Sequence, residues 1–425
     1  MTSAASRVAA GIPSRGVGAG LLWTDYWYLA ATIVAAVVTV DPLGWVLAAD
    51  PVLKHLALAI SLPAVMLTIA GSRLRVVGSR ASRAAGGPAA VLWPLLLLAA
   101  FIAVGGIHAR FVQGIQNSFL NFGVYMFVAY CAAAMVWRSE DPEALVRGHI
   151  RILLAAAAVM AAYLIANYGG REVYHEQIFL VIPMAVLFFS LREGVLLRWA
   201  GCLFFLAMSW LSAKYTSYLI GAMTVAYLVF AVAVPRLAPV PGLHRTMLVY
   251  WFWLMGGLAV IAFAFLAVNG MLELPTGNVD YRFHTYELAW QRFLDSPLWG
   301  THFAAEAVEK FTLYSIGISD NMLATHSDLL DLLAHGGLIG AVLWLYALAR
   351  IGRVARENLL RPQLLDRSWA PYAHTLAAMS AAGVVTYAFN PILLQPAMAY
   401  LLWANLGLLV GLALRAAPGG AGLTR

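Results

Sequence analysis

The chain has 425 residues, of which 62% are hydrophobic and 11% are charged, and its formal net charge at pH 7 is +7. An ordinary soluble domain carries roughly a quarter charged residues, so these few charges cannot cover a water-facing surface. The composition therefore excludes a soluble protein. The positive charge is better explained by contact with anionic lipid than by nucleic-acid binding.

Continuous apolar stretches recur along the chain, each close to the length of about 20 residues that a helix needs to cross a bilayer. Because these stretches are continuous rather than alternating, they indicate helices and not the strands of a barrel. We therefore predict an all-α, polytopic membrane protein with about 12 transmembrane helices. The predicted spans are 26–49, 54–70, 89–107, 117–137, 149–167, 177–191, 197–213, 216–234, 246–268, 327–351, 372–389 and 396–414.

The positions of Lys and Arg predict the orientation, because cytoplasmic loops are enriched in both residues. With both termini in the cytoplasm, seven of the 27 Lys and Arg residues fall outside and the other 20 inside. The outside residues are Lys54, Arg110, Arg171, Lys214, Arg282, Arg292 and Lys310. The first 22 residues lack the pattern of a cleavable signal peptide, so we expect the first span to direct insertion into a bacterial inner membrane.

The predicted spans divide the chain into three parts. Residues 1–268 hold the first nine transmembrane helices, residues 269–326 form one large periplasmic loop, and residues 327–425 hold the last three helices. Cys131 and Cys202 fall inside predicted spans, which argues against a structural disulfide. The other outside segments are short and lie near 108–116, 168–176, 214–217 and 390–396.

The large loop contains a candidate amphipathic helix. Asp280 is expected to cap it, and the sequence Asp295-Ser296-Pro297 is expected to end it. The residues expected on one face are Arg282, Tyr286, Ala289 and Phe293. This pattern is also typical of a helix that lies on the membrane with its arginines near lipid phosphates, and that interpretation stays open.

A second candidate helix follows the loop, where His326 shares a helical face with Leu329 and Leu333. A helix from Asp320 to Arg350 would exceed about 45 Å, which is longer than the bilayer core. We therefore expect its first part at the outer interface, a bend near Gly336-Gly337, and His326 at the membrane surface facing the loop. A lone interfacial histidine is more often structural than catalytic, so position alone does not decide its role.

The run from His326-Ser327 through nine residues to Gly337-Leu338-Ile339-Gly340 resembles the signature of the O-antigen ligase and O-antigen polymerase superfamily. That signature is a His, then Asn, Ser or Gln, then nine residues and Gly-x-x-Gly. Upstream, Arg282, Trp290 and the run Pro297-Leu298-Trp299-Gly300 resemble the family's stretch of Arg, Trp and Pro-Leu-x-Gly. About a dozen helices, cytoplasmic termini and one large periplasmic loop also fit the family.

The resemblance implies a membrane glycosyltransferase of the GT-C-like kind, which moves a glycan from undecaprenyl diphosphate to an acceptor hydroxyl at the periplasmic face. It implies that His326 is the catalytic histidine and that Arg282 grips the diphosphate. Many members also have an arginine early in a middle helix, where this chain has Lys214, and Arg171 is a further candidate on the same side. Possible supporting residues are His175, Ser327, Tyr286, Gly337 and Gly340.

The implied chemistry suits these residue types. A histidine can take the proton of the acceptor hydroxyl, and cationic side chains can stabilise the departing diphosphate without a metal or another cofactor. One-step displacement would invert the anomeric centre. A metal site is the competing interpretation of the pairs His302 with Glu306 and His326 with His335, but no HExxH or comparable ligand set is present. The sequence has no P-loop and no dinucleotide fingerprint.

The motif does not distinguish a ligase, which uses lipid A–core as acceptor, from a polymerase, which uses a second carrier-linked glycan. The single sizeable loop favours the ligase, because a polymerase is expected to guide two carrier-linked chains. The expected partners are the undecaprenyl diphosphate-linked donor, lipid A–core and membrane lipids. A lipid-linked oligosaccharide flippase or transporter is the alternative of another class, but it would carry charges deep in several spans.

Overall fold

A computed structural model of the chain describes residues 21–41, 56, 59–60, 87–108, 123–167, 176–191, 194–212, 214–237, 277–303, 327–361, 364–390, 392 and 395–417. These residues form helices joined by turns, and none of them lies in a strand. The predicted all-α class is therefore confirmed for this part of the chain.

The helices in chain order are α1 (Trp23–Val40), α2 (Gly87–His108), α3 (Met126–Arg138), α4 (Pro142–Ala166), α5 (Ile178–Val181), α6 (Met184–Ser190), α7 (Val195–Leu211), α8 (Tyr215–Tyr227), a π-helical turn (Leu228–Ala233), α9 (Val234–Leu237), α10 (Gly277–Asp295), α11 (Asp328–Asn358), α12 (Ala370–Phe389) and α13 (Pro396–Ala416).

Six stretches within the described residues are long and apolar enough to cross a membrane: α1, α2, α4, the run from α8 through α9, α11 and α13. This supports an all-α membrane protein, whereas the number of 12 spans and the orientation stay predictions. The predicted span 246–268 lies entirely outside the described residues. The predicted span 54–70 does so too, apart from residues 56, 59 and 60. So does most of the predicted loop, apart from 277–303.

Helix α13 is the centre of the packing, because it is buried along its length and contacts α1, α3, α11 and α12. Its glycines bring it close to α3. A Cβ atom at Gly407 would lie 2.2 Å from the carbonyl oxygen of Ala129, and one at Gly411 would lie 2.8 Å from that of Ala133. Small residues let helix backbones approach closely, which is a main source of helix association in membranes.

A buried polar cluster joins α13 to α1 and α4. The Nε2 atom of His149 lies 2.9 Å from Oδ1 of Asn405, and its Nδ1 atom lies 3.3 Å from Oγ1 of Thr32. The ring of Tyr28 stacks on the imidazole with a centroid separation of 5.9 Å. Hydrogen bonds between polar side chains stabilise helix contacts in membranes, so this cluster fixes how the three helices align.

The predicted loop helix is present as α10, which ends at Asp295 as expected. It begins at Gly277, so Asp280 lies within the helix and the prediction that Asp280 caps it is wrong. Of the predicted face, Ala289 is buried, and Tyr286 and Phe293 are half-buried. Trp290 is exposed.

Helix α11 contains the predicted bend, since Gly337 has φ of 56° and ψ of −158° inside it. Its predicted continuation toward Asp320 is wrong at Ser327, which has an extended backbone and forms the N-cap. The cause is the Ser327 hydroxyl, which accepts a hydrogen bond from the backbone N–H of Leu330 at 3.4 Å and so favours a helix start. His326, which was expected to share a helical face with Leu329, lies outside the described residues.

Candidate functional site

The bend at Gly337 interrupts the backbone hydrogen bonds of α11. In a straight helix the N–H groups of Leu338 and Ile339 would bond to the carbonyl groups of Ala334 and His335. The backbone angles of Gly337 break that pattern, which leaves two donors and two acceptors without helical partners. Because unpaired backbone groups are costly in a membrane, these four groups need other partners.

The run from Pro297 to Phe303, here named the clasp segment, supplies all four partners. It contains the Pro-Leu-x-Gly stretch, and a single residue, Ser296, separates it from the end of α10. The bonds run from Leu338 N–H to the Pro297 carbonyl (2.8 Å), from Ile339 N–H to the Leu298 carbonyl (3.2 Å), from Thr301 N–H to the Ala334 carbonyl (3.0 Å) and from Phe303 N–H to the His335 carbonyl (3.1 Å).

Two glycines make this close backbone contact possible. Gly300 has φ of +60°, and a Cβ atom there would lie 2.5 Å from the Ala334 carbonyl oxygen. A Cβ atom at Gly337 would lie 2.6 Å from the Leu298 carbonyl group. Gly340 differs, because its Cβ atom would meet its nearest neighbours at 3.6 Å or more, which is ordinary contact. Glycine is therefore required at 300 and 337, but not at 340.

The clasp segment also packs on α2. A Cβ atom at Gly105 would lie 1.6 Å from the His302 carbonyl oxygen, so glycine at this position lets the segment approach the helix. The centroid of the Phe101 ring lies 4.4 Å from that of the His302 ring and 6.0 Å from that of the Trp299 ring. His302 and Phe303 have positive φ of 53° and 55°, a strained conformation that persists only where packing fixes it.

The start of α11 is fixed to the end of α12. The Ser327 hydroxyl donates a hydrogen bond of 2.8 Å to the carbonyl of Ala388. Asp328 and Asp331 are buried in the first turn of α11. Because Ser327 follows His326 directly in the chain, this contact fixes the residue next to the predicted base, while His326 itself lies outside the described residues.

The stretch around Lys214 meets α12 at the same end of the bundle. Asn390, which directly follows α12, donates a side-chain hydrogen bond of 3.3 Å to Thr216 in the first turn of α8. Lys214 is half-buried and forms the N-cap position of α8. We name the ends of α8, α11 and α12 marked by Lys214, Ser327 and Asn390 the motif end.

The remaining predicted site residues differ in how far the structure describes them. Arg282 lies on α10, which packs along α11, and its side chain is outside the described part. Arg171 and His175 lie outside it altogether. The residue after His175, Glu176, accepts a side-chain hydrogen bond from Gln395 at the start of α13. The structure thus places Ser327 and the stretch around Lys214 against the same end of α12, and it places α10 beside α11.

Sequence reasoning missed Thr301 and interpreted His335 only as a possible metal ligand. In the structure, Nδ1 of His335 lies 2.7 Å from Oγ1 of Thr301, which ties the clasp segment to α11. The adjacent Gly336-Gly337 pair marked the bend, but nothing in the spacing of Thr301 and His335, 34 residues apart, indicated their contact.

No protein-family model matches the chain, and a search of curated proteins found no match. The family resemblance therefore rests on the motif residues themselves.

Proposed function

We propose that this protein is an inverting, metal-independent glycosyltransferase that transfers a glycan from undecaprenyl diphosphate to a hydroxyl of lipid A–core. The observation that carries the proposal is the clasp segment, because it joins the Pro-Leu-x-Gly stretch directly to the helix that starts after His326. Two sequence stretches that resemble one family signature thus form one unit of backbone structure.

The proposed reaction is a single displacement. His326 accepts the proton of the acceptor hydroxyl while that oxygen forms a bond to the anomeric carbon. The bond between the anomeric carbon and the diphosphate oxygen breaks, and undecaprenyl diphosphate leaves with the electron pair. Arg282, Lys214 and Arg171 stabilise the charge that develops on the diphosphate. Energy stored in the lipid-linked donor drives transfer, so no nucleotide is needed.

The packing of the described helices is compatible with these roles. Lys214 begins α8 at the motif end, where Asn390 links α8 to α12 and Ser327 links α12 to α11. The helix that carries Arg282 runs beside α11. The proposal assigns this end of the bundle to the periplasmic face of the bacterial inner membrane, with both termini in the cytoplasm.

Lipid A–core is the proposed acceptor because the sequence has one sizeable outside loop. A polymerase that holds two carrier-linked glycans is expected to have a second such loop, whereas a ligase needs a lateral opening for one lipid acceptor. The motif residues serve both reactions equally, so the acceptor is inferred from loop length alone.

A deletion strain, compared with the same strain carrying the gene on a plasmid, tests the acceptor. Loss of a ligase leaves full-length polymer on undecaprenyl diphosphate together with bare lipid A–core, which is the expected result. Lipid A–core capped by one repeat unit would instead identify a polymerase.

A vesicle assay for movement of the carrier-linked glycan across the bilayer tests the transporter alternative. We expect no translocation by the purified protein, and translocation without glycan transfer would overturn the proposed function.

A further inference from the structure

We propose that His335 is a positioning residue for this glycan transfer: through Thr301 it holds the clasp segment on the bend of α11 and thereby fixes the first part of α11, whose N-cap Ser327 follows His326 in the chain. The inference rests on the proposed function. His335 and Thr301 both lie outside the motif residues, so the resemblance assigns neither of them a role.

The contact between the two side chains is short and partly buried. Nδ1 of His335 lies 2.7 Å from Oγ1 of Thr301, and His335 is only 2% exposed. The Phe303 ring covers the imidazole at a centroid separation of 5.8 Å. Thr301 therefore meets α11 twice, by its side chain at His335 and by its backbone N–H at Ala334.

The other ring nitrogen indicates why a histidine is present. Nε2 of His335 is buried and has no hydrogen-bond partner among the described residues. Burying a polar ring with one nitrogen unpaired is unfavourable, so an apolar residue would serve packing better. The hydrogen bond to Thr301 is thus the contact that explains this side chain.

The clasp segment needs such a contact because part of its backbone is strained. His302 and Phe303 follow Thr301 directly, and both have positive φ. A strained conformation relaxes unless surrounding contacts hold it. Loss of the Thr301 hydroxyl would remove the side-chain contact next to the strained pair, so that the backbone hydrogen bonds alone would hold the segment and would open more often.

The consequence reaches His326 through the first part of α11. From Asp328 to Gly336 this part is a rigid half-helix about 14 Å long. One end is held by Ser327 on Ala388, and the other by the clasp segment at Ala334 and His335. A shift at the clasped end tilts the half-helix about its Ser327 end, which is next to His326 in the chain. A misplacement of about 1 Å lowers a reaction rate by up to about a hundredfold.

The test compares Thr301→Val, which keeps the shape but removes the hydroxyl, with Thr301→Ser, which keeps the hydroxyl. Binding of undecaprenyl diphosphate-linked glycan to each purified variant gives the concentration of folded enzyme, and kcat is expressed per bound donor. We expect Thr301→Val to lower kcat about tenfold to a hundredfold with little change in KM for the donor, and Thr301→Ser to retain parental kcat. Loss of folded protein alone would not change kcat expressed in this way.

A second pair of variants tests the partner side chain. His335→Asn places an amide near the position of Nδ1, whereas His335→Leu removes all hydrogen bonding, so the Asn variant is expected to retain more of the parental kcat. Parental kcat in both Thr301→Val and His335→Leu would overturn the positioning role, as would equal losses in Thr301→Val and Thr301→Ser. If Thr301→Val binds no donor, the His335 pair decides the question, and parental kcat in His335→Leu would then overturn the positioning role.

Hydrogen exchange at the Leu338 and Ile339 amides distinguishes failure of this inference from failure of the proposed function. We expect Thr301→Val to speed exchange at both amides and Thr301→Ser to leave it unchanged. A parent protein that transfers no glycan would refute the proposed function, whatever the exchange result. A parent that transfers glycan, with exchange and kcat unaltered in Thr301→Val, would refute the positioning role alone.

Discussion

At the scale of single residues, the glycines of the motif have different surroundings although the signature treats them alike. Gly337 adopts backbone angles that are almost restricted to glycine, and the Leu298 carbonyl group occupies the space of a Cβ atom. Gly340 is helical and has room for a methyl group. The sequence motif contains both glycines, but the structure gives a physical reason for glycine at position 337 alone.

This difference predicts unequal effects of the same substitution at the two glycines. Gly337→Ala should destabilise the protein by about 1–3 kcal/mol from backbone strain alone, with a further cost from the contact at the clasp segment. Gly340→Ala should change stability by less than about 1 kcal/mol. Thermal unfolding of the two purified variants measures both. Equal melting temperatures for the two would contradict the described bend.

The cations assigned to the diphosphate differ in the geometry that each can offer. A planar guanidinium binds two phosphate oxygens, so Arg282→Lys should be costly, whereas Lys214→Arg should be tolerated. Loss of one such donor removes roughly 3 kcal/mol of transition-state stabilisation, or about a hundredfold in rate. Rates of transfer at limiting and saturating donor measure the effect. Unchanged rates in Arg282→Ala would rule out the assignment of Arg282.

At the scale of elements, local sequence signals predicted α10, its end near Pro297 and the bend at Gly337, because each depends on neighbouring residues. The start of α11 was missed, since an apolar pattern runs through His326, although Ser327 followed by Asp328 and Asp331 is itself a signal of a helix start. The clasp segment was beyond prediction. Its backbone hydrogen bonds join residues far apart in the chain and leave no periodic pattern in the sequence.

Long-range hydrogen bonds to the backbone also join α2 to α11. Pro94 lies inside α2 and has no N–H to donate to the Ala90 carbonyl. Arg350 of α11 donates its Nη2 to that carbonyl and its Nε to the Val91 carbonyl at 3.2 Å. The arginine thus satisfies an acceptor that the proline leaves without a helical partner.

We therefore predict that Arg350→Ala lowers the free energy of unfolding by about 1–3 kcal/mol, because it leaves a carbonyl unpaired. In a Pro94→Ala background the cost should be smaller, since an alanine in place of the proline restores the helical N–H donor. Thermal unfolding of the four proteins of this double-mutant cycle measures the coupling. An equal cost of Arg350→Ala in both backgrounds would contradict this pairing.

At the scale of the whole molecule, the described residues form a helical membrane protein, and the proposed chemistry uses side chains alone. Because the cations Arg282, Lys214 and Arg171 are assigned the role of a divalent ion, transfer by the purified protein should persist after treatment with EDTA. The measurement is the transfer rate before and after chelation. A loss that added magnesium or zinc restores would show that a metal takes part.

The most direct test of the account uses the purified protein in vesicles, with undecaprenyl diphosphate-linked glycan as donor and lipid A–core as acceptor. Mass spectrometry of the acceptor measures transfer by the parent and by His326→Ala, and donor binding confirms that the variant is folded. A positioned base contributes about a hundredfold to ten-thousandfold in rate, so the parent should glycosylate the acceptor while the variant forms almost no product. Transfer by His326→Ala at the parental rate, or a parent that transfers glycan neither to lipid A–core nor to a second carrier-linked glycan, would contradict the account.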